Sequence, residues 1–83
     1  MSDEIERNRK ILQLARLRDL GEKAYDDMYE AHSFSGSGAC YSDAKEFFYD
    51  AIRLAEELGL AEETAALTER LEHIKAVYRS QFT

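Results

Sequence analysis

The chain contains no proline, and its β-branched residues are confined to Ile5, Ile11, Ile52, Ile74, Val77 and a few threonines. Strands have little to be built from, and no helix need be broken by a pyrrolidine ring. Cysteine is nearly absent, and Cys40 alone cannot form an internal disulfide. Long apolar runs are missing as well. No N-terminal stretch has the apolar core of a signal peptide or the length of a membrane span, so the expected setting is a reducing cytoplasm with no membrane partner. Basic residues are in deficit, 11 Lys and Arg against 17 Asp and Glu, for a net charge of -6. Such a chain repels phosphate backbones on average, and no nucleic-acid partner is expected.

What is present is helix-forming: Ala, Leu, Glu, Arg and Lys dominate, and the composition predicts an all-α fold. The 83 residues are expected to form a single helical domain, 1–83. At this size one core is only marginally sufficient, and a second subunit often supplies the missing burial.

The first helix is expected to open at Ser2 or Asp3, with Asp3, Glu4 and Glu6 at its positive end, and to run to about His32. Leu17, Leu20, Ala24, Met28 and Ala31 fall at steps of three and four and form one apolar stripe, with Leu14 and Tyr25 on its edge. Ile5, Ile11, Leu12 and Ala15 project to the nearly opposite side, so the helix either breaks at Gly21 or offers a second face to another molecule. Glycine inside a helix costs only about 1 kcal/mol against alanine, and a continuous helix is the preferred reading.

From His32 to Ser42 the helical period is interrupted by serines and glycines, and the stretch is expected to be a connecting loop. A second helix then starts at Ser42 or Asp43, with Glu46 completing an Asp-x-x-Glu capping box. Ala44, Phe47, Phe48, Ala51, Leu54, Ala55 and Leu58 form its single apolar face. Gly59 stands as a left-handed terminator with Leu60 as the apolar contact of a Schellman motif, so a third helix, about Ala61 to Gln81, follows in a tight hairpin. That helix directs Leu67, Leu71, Ile74, Val77, Tyr78 and Phe82 inward and leaves Glu62, Glu63, Glu69, Glu72 and Lys75 wet. The expected architecture is a small antiparallel bundle of three helices, the first of them long. The stretch from Ala51 to Tyr78 resembles the junction between helices in tetratricopeptide-type repeats, although one such unit is too few for a solenoid.

Four constellations bear on chemistry. Backbone amides of Ser35-Gly36-Ser37-Gly38 would suit an anion ahead of the second helix, but Asp43 and Glu46 oppose it and a Walker pattern is missing. Cys40 near a helix start, with His32 earlier in the loop, suggests a reactive thiol, against which stands the usual role of a lone cysteine as a small buried hydrophobe. His32, Cys40 and His73 lack the paired spacing of a zinc site, and no metal is expected. The aromatics Tyr29 and Tyr49 lie off the main stripes, while Phe34 and Tyr41 sit in the expected loop, either as interface anchors or folded over the bundle end.

The functional expectation is a protein-interaction or self-associating domain, a homodimer, working through Ile5, Ile11, Leu12, Ala15 and Tyr29, with no catalytic residue and no cofactor. The alternative is an anion- or small-molecule-binding domain, or a minor enzyme, using the Ser/Gly-rich loop 33–42 with Ser35, Gly36, Ser37, Gly38, Cys40 and Tyr41 as contacts.

Overall fold

The computed structural model describes residues 2–82, the side chains of Ser2 and Phe34 excepted, and consists of three helices: α1 (Ser2–Glu30), α2 (Phe34–Glu57) and α3 (Ala61–Gln81). No strand occurs among the described residues. α1 packs most extensively against α2, and α3 packs on α2 in turn. Consecutive helices run antiparallel. Near the start of α1 the Arg7 guanidinium donates to the carbonyl of Leu58, at the end of α2, at 3.2 Å.

α1 is unbroken through Gly21, and at about 1.5 Å per residue it is the longest rod of the molecule. Its buried face is turned slightly from the expected stripe. Leu14, Ala24, Tyr25 and Met28 are buried and Leu17 is half-buried, whereas Leu20 is 37% exposed. Gly21 explains the turn. A Cβ built there would stand 2.7 and 2.8 Å from two carbons of the fully buried Phe48 ring. Glycine therefore lets α2 seat its largest core side chain directly against the α1 backbone, and the residues beside Gly21, rather than those beside Leu20, line the core.

The expected loop from His32 to Ser42 is overturned. Only Ala31, His32 and Ser33 connect the helices, and α2 begins at Phe34, so neither Ser42 nor Asp43 is a cap. Ser33 is the N-cap: its backbone is extended (φ -146°, ψ 159°) and its hydroxyl accepts the Gly36 N–H at 3.0 Å. The Ser37 hydroxyl donates to the Ser33 carbonyl at 2.8 Å, and the Ser37 N–H donates to the same oxygen at 2.9 Å. Serine and glycine weaken a helix by less than about 1 kcal/mol each, a deficit that burial of one face overcomes. Ser37, Ala44 and Phe48 are buried and Cys40 and Tyr41 half-buried, at steps of three and four continuous with the rest of α2.

The α2–α3 hairpin forms as expected. Gly59 has φ +72°, the Gly59 N–H donates to the Glu56 carbonyl at 3.0 Å, and the Leu60 N–H donates to the Ala55 carbonyl at 2.9 Å. These are the two bonds of a Schellman motif, and Leu60 packs on the core as its apolar contact. α3 buries Leu67, Leu71 and Ile74, with Val77, Tyr78 and Phe82 half-buried against the same core.

Candidate functional site

The residues expected to line a binding loop are part of a helix. Ser35 is exposed, Ser37 is buried with its hydroxyl bonded to backbone, and Cys40 is a free, half-buried thiol packed on the core. Gly36 has its N–H committed to the Ser33 cap. Gly38 stands beside Tyr78, whose hydroxyl would lie 3.5 Å from an added Cβ. Successive amides thus run along a helix axis instead of curling into a concave anion nest. His32 is exposed in the connection, and neither its side chain nor that of Cys40 has a hydrogen-bond partner among the described residues. Among those residues no group of three or more His, Cys, Asp or Glu side chains could hold a metal ion.

Tyr41 belongs to a band of rings across one end of the bundle. It stacks on Tyr78 at 3.8 Å with planes 4° apart, and the Lys45 ammonium lies 4.5 Å from its centroid. Tyr78 stacks on Phe82, Phe82 meets Tyr29 edge-on at 5.4 Å, and Tyr29 meets Tyr25 edge-on at 5.4 Å. All three helices contribute, so the band closes the bundle end. The Phe34 side chain, also read as an anchor, lies outside the described residues. Tyr29 remains 49% exposed, yet its ring and its hydroxyl, 3.1 Å from that of Tyr25, are engaged within the molecule.

Beside this band lies an α1–α3 clamp that sequence reasoning missed. Arg70 donates two hydrogen bonds to the Glu22 carboxylate, at 2.8 and 2.7 Å, and its guanidinium sits 5.1 Å from the Tyr25 ring centroid. Burial, seconded by the hydrogen bond with Tyr29, pushes the Tyr25 phenol up to about 12. The partners are 48 residues apart, and no local spacing announces them.

The basic run on α1 is largely absorbed inside the molecule. Lys10 bonds Glu57 at 2.8 Å, which raises the ammonium above its ordinary value, and Arg18 bonds Glu63 at 3.3 Å. Arg9 and Arg16 differ: both are exposed and have no ionic partner among the described residues. Between them stands the second apolar face of α1. Leu12 is 72% exposed and Ile5 60%, with Ile11 at 39% and Ala15 half-buried. The structure does not bring Tyr29 to this face, since 17 residues, about 25 Å of helix, separate it from Leu12.

Crevices on the surface are shallow and open. One of about 460 Å³ lies at the α2–α3 turn beside Gly59, Leu60 and Ala65, and one of about 320 Å³ runs between α1 and α2 beside Lys10, Leu17, Asp50 and Glu57. No described helix is long and apolar enough to cross a membrane. Comparison with protein-family models, with curated proteins and with solved structures finds no match for the chain.

Proposed function

We propose that this helical bundle works by binding protein, itself included, through the outward face of α1, in the cytoplasm and without catalysis. The observation that carries the reading is Leu12, a large apolar side chain 72% exposed in the middle of a long helix, with Ile5 60% exposed one heptad earlier. Scattered exposed leucines are ordinary on protein surfaces. Here, however, the two lie seven residues apart on one side of one helix, and the internal core is already complete on the opposite side. A small chain that leaves such a face uncovered has burial to gain from a second subunit, and a homodimer is the simplest form.

The alternative, anion or small-molecule binding by residues 33–42, retains only the positive end of the α2 dipole in its support, since the Gly36 and Ser37 N–H groups are already bonded to Ser33. The deciding experiment is light scattering on a size-exclusion column over a wide concentration range, for the native chain and for Leu12→Asp. A dimer that becomes a helical monomer on substitution supports the proposal. A native chain that stays monomeric throughout removes its self-association.

A further inference from the structure

Resting on that reading, we infer that the face takes a second copy of the same chain in a parallel, in-register pairing of α1 with α1. Written as a heptad, the outward face has Ile5 and Leu12 at one seam position, Asn8 and Ala15 at the other, Glu4 and Ile11 on one flank, and Arg9 and Arg16 on the opposite flank. α2 lies behind this face, since Lys10 and Gly21 turn toward it; α3 borders the Glu4/Ile11 flank farther along, where Arg18 and Glu22, one heptad beyond Ile11 and Ala15, turn toward α3, so the open part of the seam spans residues 4–16.

Charge selects the direction. A parallel pair related by a two-fold axis along the helices brings each flank against the other flank of the partner copy, so Glu4 of one protomer meets Arg9 of its partner, twice. The Arg16 stem of one protomer then lies over Ile11 of its partner. Glu4 and Arg9 are free for this, neither having an ionic partner within the chain among the described residues. An antiparallel pair instead brings like flanks together. Any antiparallel register that packs Ile5 of one protomer on Leu12 of its partner also sets Arg9 against Arg9. Asp19, one heptad beyond Leu12 and 3.9 Å from Arg18, ends the seam. With two large apolar residues per protomer the contact falls short of the roughly 800 Å² per partner of a standard interface, so the dimer is a dissociable one.

The test uses the full chain with Cys40→Ser and Ala15→Cys. Parallel pairing sets residue 15 beside its own copy, within disulfide reach, whereas the antiparallel register separates the two by about 20 Å along the helix. Rapid formation of a reducible covalent dimer under mild oxidation is expected, with Cys40→Ser alone giving none. In the native background Glu4→Arg and Arg9→Glu should each weaken association about tenfold, and the exchanged pair should bring it back to within about threefold of native. A chain whose dimer is lost on Leu12→Asp but which neither cross-links through residue 15 nor recovers on charge exchange overturns the parallel pairing and leaves the interaction face standing. A chain monomeric at every concentration overturns the pairing and the self-association together.

Discussion

Gly21→Ala separates the helix-propensity argument from the packing argument, because the two predict opposite signs. On an exposed helix the change would stabilise by about 1 kcal/mol. At Gly21 the new methyl would stand 2.7, 2.8 and 3.3 Å from three carbons of the Phe48 ring, where ordinary carbon contacts begin near about 3.5 Å. Phe48 is fully buried between α1 and the rest of the core, so its ring has nowhere to retreat without moving α2 away from α1. Overpacking of this kind costs about 1–3 kcal/mol, and after the propensity gain the net destabilisation is about 1 kcal/mol. For a chain of this size that lowers Tm by about 4–8 °C. The assay is urea or thermal unfolding followed by far-UV circular dichroism at one fixed protein concentration, since any self-association adds to apparent stability. The same substitution in a Phe48→Leu background, where the ring is gone, should regain the stabilising sign, giving a coupling of at least about 1 kcal/mol between the two positions. Equal stabilisation by Gly21→Ala in both backgrounds would refute the close approach of Phe48 to the α1 backbone.

Two further predictions concern residues that local sequence does not single out. Ser33→Ala should cost about 1 kcal/mol and Ser33→Gly only a few tenths, because the hydroxyl caps Gly36; equal stability of all three forms in chemical denaturation would place the start of α2 elsewhere. In an ultraviolet pH titration Tyr25 should ionise at about 12 instead of the ordinary 10.0. Its folded value lies above its unfolded one, so its contribution is fully present below about 10 and is lost as pH rises toward about 12. Tyr25→Phe, which removes one hydrogen bond at a cost of at most about 1 kcal/mol near neutrality, should flatten that alkaline loss. An unchanged alkaline stability profile in the variant would count against it.

Features written in a few adjacent residues are legible from the amino-acid sequence. The α2–α3 turn needs only Gly59 and Leu60, because a left-handed residue and one apolar contact are enough to make a Schellman motif. The limits of α3 and the buried face from Ala44 to Leu58 follow from spacing alone. So does the outward position of Ile5 and Leu12, since a helix that buries Leu14 and Met28 must turn those residues away.

The stretch from Ser33 to Ser42 shows where local reading fails. Its serines and glycines are poor helix formers, and that signal masks the spacing of Ser37, Cys40, Tyr41, Ala44 and Phe48, which continues the apolar face of α2. Packing decides in favour of the spacing. The same is true of Gly21, whose glycine reads as a weakness in a helix until Phe48 is placed against it. The Arg70–Glu22 clamp and the ring band from Tyr25 to Tyr41 are likewise agreements between faces of different helices. Periodicity and caps are properties of neighbours along the chain and can be read from it directly. Which faces meet, and which glycine admits which ring, depends on how three rods settle against one another, and only the folded arrangement settles that.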